Sequence, residues 1–462
     1  MRSLVPLSLS LSLLLVAPAL AGTNPGVDAE KAGEDAFEDA KNWTVQIRTS
    51  VSRPFTQDQT GSFQGAGMVV DARRGWVLTN KHVASSSYSS VTVTFHGGEP
   101  LPAQRLYVDP HLDLAVLAYD PSAAGRTPKE PKLDCDASPP IGHPVGAFGH
   151  PWGFRFTGTR GITSAITSRL GPQMLQTDAP INSGNSGGPL ISLVTGRVVG
   201  INTASMAKDR TEGISFAVPM PYACAIVDLL KKGEDPSPPA GLVDFAIDEN
   251  EEPTLVVARS RLPAGAIDLR AGDELLALRS PDRALENQST LMHALRGKLD
   301  DVTLAVRRDG AEVTLHGNWP AAARVIERQG LWISGALIAE SEPMIRGQVQ
   351  GSPSLMIHYV QDGSAAEAQD LQEYDLVLTA NGRPVDSLAS LQTLAREAET
   401  SKAEMSLMLL RLGSVRSGLF VYQTRTLPLV DVEVVGPPKA PEMKTAAQAV
   451  ISGPELSSQP GG

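Results

Sequence analysis

The sequence contains the segment Gly184-Asn185-Ser186-Gly187-Gly188-Pro189, in which a single serine lies among glycines. Glycine lets the backbone turn sharply, so the N–H groups of Gly184 and Ser186 can point at one position beside the Ser186 hydroxyl. Such a loop suits nucleophilic attack on a carbonyl group, although a glycine-rich serine loop on its own is more often a simple turn. Residues elsewhere in the chain have to distinguish the two interpretations.

Two further blocks supply the partners that an activated serine needs. Thr79-Asn80-Lys81-His82-Val83 puts a histidine directly after a β-strand pattern, and His111-Leu112-Asp113-Leu114-Ala115-Val116-Leu117 puts an aspartate at the start of an apolar strand. We expect His82 to act as general base for Ser186 and Asp113 to orient His82. The chain order His, Asp, Ser is that of chymotrypsin-like enzymes and differs from the orders in subtilisins and α/β-hydrolases.

Other histidines and one other aspartate are weaker candidates. His111 is the alternative base, and Asp109 is the alternative to Asp113, but Asp109 precedes a proline and lacks the apolar strand. His143 and His150 both lie in Gly-His-Pro triplets, yet no carboxylate or cysteine stands at a metal-ligand spacing from them. We expect turn roles for both, with no metal site and no cofactor.

Composition bounds the class of protein. The chain has 462 residues, of which 42% are hydrophobic and 20% charged, and these values predict about three globular domains rather than a disordered or membrane-embedded protein. The net charge is -11 and Lys and Arg form no cluster. Nucleic acid is therefore not expected as a partner.

Residues 1–21 have the pattern of a cleaved export signal. Arg2 precedes an apolar run from Leu4 to Val16, and Ala19-Leu20-Ala21 is a small-x-small cleavage site. The pattern predicts a periplasmic or secreted protein, with an uncleaved anchor helix as the alternative. The acidic segment 22–42 is either a solvated spacer or a helix that contributes to an oligomer contact.

The chain contains two cysteines, Cys135 and Cys224. In an oxidising compartment they can form one disulfide, but they can equally remain buried thiols. The sequence leaves both interpretations open.

Residues 43–232 consist of short β-rich runs separated by turn residues, a pattern that predicts a sandwich or barrel. The clearest runs are 65–70, 76–78, 91–95, 115–119 and 198–203. A helix is predicted over 222–232. The proline-rich stretch 233–240 then reads as a domain linker, because its prolines cannot continue a helix or enter a central strand.

An internal repeat follows the linker. Residues 262–278 and 362–382 each read as a short helix, a turn and a strand. Each is followed by an amphipathic helix, at 289–295 and 387–395, and then by a β run, at 302–307 and 405–412. The repeat predicts two α+β modules, 241–320 and 325–435, and the remaining residues, 436–462, have the composition of a disordered tail.

Both modules resemble PDZ domains. The first has the turn Gly272-Asp273 but Arg279-Ser280 where Asn-Gly is usual, and the second has Asn381-Gly382 but Tyr374-Asp375. The resemblance implies grooves that hold a peptide C-terminus as an added strand, although modules that serve only for packing are the alternative. Candidate carboxylate-binding loops are Gly330-Leu331-Trp332-Ile333, with Trp332 in place of a glycine, and the weaker Gly241-Leu242-Val243.

The three blocks in this order, followed by PDZ-like modules, look like the HtrA (DegP-like) family of serine proteases. Residues 176–182 and 200–204, on either side of the serine loop, are also similar to that family. The resemblance implies a mostly β protein, with a chymotrypsin-like double β-barrel followed by two α+β PDZ-like domains. It also implies a homo-oligomer, a trimer or a multiple of one, that cleaves unfolded or misfolded exported proteins.

The resemblance also assigns residues around the serine. The oxyanion hole is expected at Gly184, Asn185 and Ser186. A specificity pocket that accepts small aliphatic side chains is expected to be walled by Ile201, Asn202 and Thr203.

Two residues near the serine differ from digestive enzymes. Asn185 stands where those enzymes have an aspartate that pairs with a newly cut N-terminus, so activation by that cut is not expected. Pro180 stands six residues before Ser186, where trypsin-like enzymes carry an acid, so cleavage after Lys or Arg is not expected. The alternative function from another class is a catalytically silent peptide-binding or chaperone scaffold.

Overall fold

The computed structural model describes residues 25–125, 127–150, 156–168, 172–205, 213–248, 253–280, 282–341, 354–414 and 419–437. The predicted export signal lies outside these residues. Of the predicted tail, only Gly436 and Pro437 are described. None of the helices in the described part of the chain combines the length and the hydrophobicity needed to cross a membrane.

The acidic segment forms helix α1 (Pro25–Ala40). Its residues Ala36 and Ala40 are buried, and the Phe37 ring stacks on Phe148 with 5.8 Å between ring centroids. The segment is therefore a helix packed on the body of the protein rather than a solvated spacer.

The first six strands close into a barrel with the order β1-β2-β3-β6-β5-β4. The elements along the chain are β1 (Thr44–Val51), β2 (Gly61–Asp71), β3 (Trp76–Thr79), α2 (Lys81–Ala84), β4 (Ser89–Thr94), β5 (Leu101–Val108) and β6 (Ala115–Tyr119). Ile47, Met68 and Leu117 are among the fully buried side chains of its core. The β runs predicted at 65–70, 76–78, 91–95 and 115–119 correspond to β2, β3, β4 and β6.

A second closed barrel follows, with the order β10-β11-β12-β9-β8-β7. Its strands are β7 (Pro144–Gly149), β8 (Thr157–Thr167), β9 (Met174–Thr177), β10 (Pro189–Ser192), β11 (Val198–Ser205) and β12 (Ser215–Pro219), and the predicted helix is α3 (Met220–Lys232). Two six-stranded barrels in succession are the chymotrypsin-like architecture expected from the sequence.

The two cysteines form a disulfide. Cys135 lies in the connection between the barrels and Cys224 lies on α3, and their Cα atoms are 5.7 Å apart. This geometry is within the usual range for a disulfide. The structure thereby decides between the two states that the sequence left open.

The proline-rich stretch 233–240 packs against its neighbours. Ser237 is buried, and the Pro236 carbonyl accepts hydrogen bonds from the Tyr107 hydroxyl at 3.3 Å and from Arg296 Nη1 at 2.5 Å. The predicted linker is thus held between the first barrel and the module that follows.

The first PDZ-like module contains a sheet of order β13-β14-β15-β17-β18, and β16 pairs with β15. Its elements are β13 (Val243–Ile247), β14 (Pro253–Ser260), β15 (Glu274–Arg279), β16 (Asp282–Ala284), α4 (Gln288–Leu295), β17 (Val302–Arg308) and β18 (Ala311–Gly317). The short helix predicted at its start is wrong. Pro263 and Gly265 lie in a turn there, and Gly265 has a φ of 89°, which a helix does not allow.

The second PDZ-like module has the strand order β25-β24-β22-β21-β20-β19-β26, and β23 pairs with β22. Its elements are β19 (Gly330–Ile333), β20 (Ala336–Glu340), β21 (Leu355–Val360), α5 (Ala365–Ala368), β22 (Leu376–Ala380), β23 (Arg383–Pro384), α6 (Leu388–Ser401), β24 (Met405–Ser414), β25 (Leu419–Leu427) and β26 (Val432–Val435). Here the predicted short helix is present as α5.

The internal repeat is visible in one matched ion pair. Arg308 on β17 donates through Nε and Nη2 to the two carboxylate oxygens of Asp273, at 2.8 and 2.7 Å. Arg411 on β24 makes the same pair of bonds to Asp375, both at 2.6 Å. In each module, an arginine on the strand that follows the amphipathic helix therefore binds the aspartate of the turn. This turn leads into β15 in the first module and into β22 in the second.

Candidate active site

Strand pairing in the first barrel brings His82 and Asp113 together. β3 pairs with β6, so that Thr79 lies opposite Ala115. His82 and Asp113 lie just beyond the paired ends of these two strands. His82 Nδ1 is 2.7 Å from Asp113 Oδ2, and the His82 backbone N–H donates to Asp113 Oδ1 at 3.0 Å. The Asn80 side-chain amide donates to the Asp113 carbonyl at 2.8 Å and fixes the same corner.

The Asp113 carboxylate has a third donor, the hydroxyl of Thr203 on β11 of the second barrel. Burial raises the pKa of Asp113, but the hydrogen bonds from His82 and Thr203 outweigh burial and hold that pKa below its usual value. Because an ionised carboxylate can only accept, the proton of a neutral His82 ring lies on Nδ1. Nε2 is then left as the acceptor that a general base requires.

Ser186 lies where the two barrels meet. Its carbonyl accepts a hydrogen bond at 2.8 Å from the N–H of Ala66 on β2, and the N–H of the following Gly187 donates at 2.8 Å to the Asn202 carbonyl on β11. The Ser186 hydroxyl donates to the Thr203 carbonyl at 3.0 Å. A catalytic bond to His82 requires the hydroxyl to turn away from Thr203, and such bonds commonly tighten only when substrate binds.

The glycine-rich loop presents two backbone donors. Gly184 has a φ of 102°, in the region that only glycine adopts readily. Within the described part of the chain, no carbonyl accepts a hydrogen bond from the N–H of Gly184 or of Ser186. Both groups are therefore open to an oxyanion.

Asn185 does not supply a third donor. Its N–H is already used, because it donates to the Asn182 carbonyl at 2.9 Å. Its side-chain amide is buried, and neither amide atom has a hydrogen-bond partner among the described residues. The expectation that Asn185 contributes to the oxyanion hole is corrected on this ground.

The three residues expected to wall the specificity pocket lie on β11, next to the serine loop. The Ile201 side chain lies in the hydrophobic core, and the Asn202 amide donates to the Pro189 carbonyl at 2.8 Å. Thr203 faces Asp113. The contacts of these side chains fasten the strand beside Ser186, and the preference for small aliphatic residues stays a prediction.

The alternative site residues have structural partners. Asp109 accepts hydrogen bonds from the backbone N–H groups of His111 and Leu112, at 2.8 and 2.6 Å. Burial lowers the pKa of His111, although the Asp109 charge opposes this effect. His143 Nε2 lies 2.8 Å from the Ser192 hydroxyl. Within the described ranges, no three His, Cys, Asp or Glu side chains are grouped so as to hold a metal ion.

The expected carboxylate-binding loop Gly330-Leu331-Trp332-Ile333 is strand β19. It pairs on one side with β20 and on the other with β26, so it is not an open loop. In the first module, the weaker candidate Gly241-Leu242-Val243 leads into β13, the edge strand, and the Gly241 carbonyl accepts from Arg261 Nη2 at 2.9 Å.

Sequence reasoning missed the role of Thr203. The prediction placed this residue in the specificity pocket, whereas its hydroxyl binds Asp113 and its carbonyl binds Ser186. Its position directly after Asn202, in the strand that follows the serine loop, was the available signal. The contact itself arises only when β11 of the second barrel lies against the first barrel.

Comparison with known proteins agrees with this site. A family model described as "Trypsin-like peptidase domain" matches residues 65–201, which include all three triad candidates. The chain is 29% identical over 393 residues to a "Probable periplasmic serine endoprotease DegP-like" of Marinomonas sp. (strain MWYL1), covering 80% of this chain and 81% of that protein. It is 28% identical over 361 residues to the periplasmic serine endoprotease DegP of Escherichia coli (strain K12), covering 73% and 72%.

Solved structures of the same kind are also similar. The HtrA-type protease AlgW with a tripeptide superposes with a TM-score of 0.51 at 26% sequence identity, covering 63% of this chain and 97% of that one. AlgW with a decapeptide gives a TM-score of 0.50, again at 26% identity, covering 63% and 99%. The double barrel, the serine loop between its halves and these similarities lead to one conclusion: the chain is a serine-type endopeptidase that is similar to the DegP-like and HtrA-type proteases.

Proposed function

We propose that this enzyme cleaves unfolded or damaged exported proteins through an acyl-enzyme formed on Ser186. The observation that carries the proposal is a chain of contacts from His82 through Asp113 to Thr203, whose carbonyl accepts from the Ser186 hydroxyl. The protein is periplasmic, as its named relatives are.

In the proposed mechanism His82 Nε2 takes the proton of the Ser186 hydroxyl while Oγ attacks the substrate carbonyl carbon. The N–H groups of Gly184 and Ser186 stabilise the negative charge that develops on the carbonyl oxygen. Asp113 stabilises the imidazolium that forms. His82 then gives its proton to the leaving amine, and water hydrolyses the acyl-enzyme by the same steps.

For the residue before the scissile bond we propose a preference for small aliphatic side chains. The support is the chemistry of the position six residues before Ser186, where Pro180 offers no charge to a Lys or Arg side chain. Peptide substrates that differ only in having Val, Ala or Lys at this position test the preference, and faster cleavage after Lys would contradict it.

We also propose that the protein acts as a homo-oligomer, a trimer or a multiple of one, and that its PDZ-like modules meet peptide C-termini. Size-exclusion chromatography with light scattering, with and without an unfolded protein substrate, measures the assembly. A monomer under both conditions would contradict the first part.

A fluorophosphonate probe tests the nucleophile. We expect the wild type to be labelled and Ser186→Ala to be unlabelled, with casein turnover lowered by a factor on the order of 10⁴, because oxyanion binding alone remains. Ser192→Ala is the matched control, since Ser192 contacts His143 in the same barrel and no aspartate among the described residues bonds to that histidine. This variant should be labelled as the wild type is. An unlabelled wild type would favour the catalytically silent scaffold.

A further inference from the structure

The second PDZ-like module carries a strand that the sequence repeat does not contain. β26 pairs antiparallel with β19 along its full length, so that Gly330 lies opposite Val435 and Ile333 opposite Val432. The other edge of β19 pairs with β20. The edge of β19 on which a peptide would be expected to add is therefore already occupied by the chain itself.

The direction of β26 is that of a bound peptide. A PDZ ligand adds as a strand to the sheet edge, and its C-terminus points to the loop that receives the carboxylate. β26 runs from Val432, opposite the end of β19, to Val435, opposite Gly330, where the predicted carboxylate-binding stretch begins. We infer that residues 432–435 are an intramolecular ligand that closes the peptide groove of the second PDZ-like module.

The side chains at the two ends of β26 are buried against the module. Val432 is 9% exposed and shares a hydrophobic core with Leu391 and Leu394 of α6. Val435 is 6% exposed and packs with Trp332, whereas Val434 is 38% exposed. Successive side chains of a strand point to opposite faces, so Val432 lies on the face of the sheet that packs against α6, and Val435 lies on the opposite face with Trp332.

Trp332, which stands in place of the usual glycine, contacts the same segment. Its indole Nε1–H donates to Asp431 Oδ2 at 2.8 Å, and the N–H of Ser334 donates to the Asp431 carbonyl at 3.0 Å. The tryptophan that replaces the usual glycine thus holds Asp431, the residue that precedes β26.

At the other end, the chain continues where a free peptide would end. Gly436 has a φ of 124°, and a Cβ on it would lie 2.7 Å from the Arg328 carbonyl oxygen. The Gln329 side-chain amide donates to the Pro437 carbonyl at 2.8 Å. The Pro437 carbonyl thus accepts a hydrogen bond at the end of β26, where the terminal carboxylate of a bound peptide would accept one.

The tether is short, because only residues 428–431 separate β25 from β26. Such a connection gives an effective ligand concentration on the order of millimolar. A free peptide therefore binds only to the fraction of molecules in which β26 has left the groove, and its apparent affinity falls by that fraction.

The test is a binding assay that does not depend on proteolysis. A fluorescein-labelled synthetic peptide with the sequence of residues 429–437 is titrated by fluorescence anisotropy against three proteins that all carry Ser186→Ala. These are the full chain, a chain that ends at Pro428, and a matched control that ends at Pro437 and keeps β26. We expect the chain ending at Pro428 to bind the peptide at least about tenfold more tightly than either of the others.

Point variants check the same idea without truncation. In the full chain, Val432→Asp is expected to open the groove to the peptide, and Val434→Asp, at the exposed position, to leave it closed. Equal binding by all proteins would overturn the proposal, and so would a folded chain ending at Pro428 that does not bind. Loss of the folded second module in both the Pro428 chain and Val432→Asp would also overturn it, because a ligand is dispensable for a fold and an integral strand is not.

Discussion

Arg296, at the end of helix α4, forms an ion pair with Asp109 of the first barrel, with 2.7 Å between Nη1 and Oδ2. The two side chains are 1% and 0% exposed. The same Asp109 accepts the N–H groups of His111 and Leu112, the two residues before Asp113. The first PDZ-like module is therefore anchored to the segment that leads to Asp113, the proposed partner of His82.

We expect Arg296→Met to lower the free energy of unfolding by about 3 kcal/mol, because the Asp109 charge would stay buried without its counter-charge. Scanning calorimetry measures the loss. The control is Arg259→Met, which removes an exposed pair with Asp244 on the same module and should change stability by less than about 1 kcal/mol. Equal effects of the two substitutions would show that burial of the pair is unimportant.

Thr203→Val removes the hydroxyl that binds Asp113 and keeps the size of the side chain. We expect kcat to fall roughly tenfold or more with little change in KM, since a hydrogen bond to a charged group is lost. Losing this donor also raises the pKa of Asp113, so the carboxylate should take up a proton at a higher pH than in the wild type, which NMR titration measures. Thr203→Ser should restore both properties, and a change confined to KM would assign Thr203 to substrate binding instead.

The disulfide predicts a redox-dependent stability. Cys135 and Cys224 are 89 residues apart in the chain, and removing a bond of this kind costs about 2–4 kcal/mol. We expect Cys224→Ser to lower the denaturation midpoint of the wild type and a reducing agent to reproduce that loss. The reducing agent should have no effect on Cys224→Ser itself. A wild type insensitive to reduction would contradict the prediction.

Tyr374 occupies a left-handed backbone position, with φ at 70°, where the first module has Gly272 at 92°. A residue with a Cβ is strained there. We expect Tyr374→Gly to stabilise the second module by up to about 1 kcal/mol, measured by chemical denaturation. Gly272→Ala is the reciprocal test in the first module: a Cβ there meets open space, so its expected destabilisation reflects backbone strain alone.

The hydrogen bonds of Asp370 predict that the second module loses stability in acid. Hydrogen bonds from Arg425, then Gln372 and Arg411, lower the pKa of Asp370 from 3.8 to about 2. A folded-state pKa below the unfolded value stabilises the protein above the unfolded pKa, and this contribution is lost as the pH falls from about 4 towards 2. Asp370→Asn should reduce the slope of stability against pH in this window. An unchanged slope would mean that other carboxylates govern the transition.

The order of His82, Asp113 and Ser186 is that of chymotrypsin-like enzymes, and the resemblance to such enzymes predicted the double barrel. Local patterns also predicted β2, β3, β4, β6 and α3, since alternation and turn residues act over short distances. The turn aspartates and the strands that follow α4 and α6 were likewise visible as a repeat.

What the sequence did not predict depends on contacts between distant residues. The position of Thr203 in the strand after the serine loop indicates that it lies near the site, but it does not show that its hydroxyl reaches Asp113, because that contact joins two barrels. The pairing of β26 with β19 is likewise invisible, since the residues 432–435 have an ordinary strand composition and their partner lies about a hundred residues earlier. Asn185 was misassigned because a residue name does not show which way its N–H points.

The hydrogen bond from Ala66 to the Ser186 carbonyl has a consequence for the newly exported chain. His82 and Asp113 belong to the first barrel, and the serine loop is fastened to that barrel from the second. The two halves of the site therefore meet only after both barrels have folded and docked, since neither half holds a complete set of reacting groups. An enzyme built in this way is inactive while it is still an extended polypeptide, and it gains activity only when its two barrels dock.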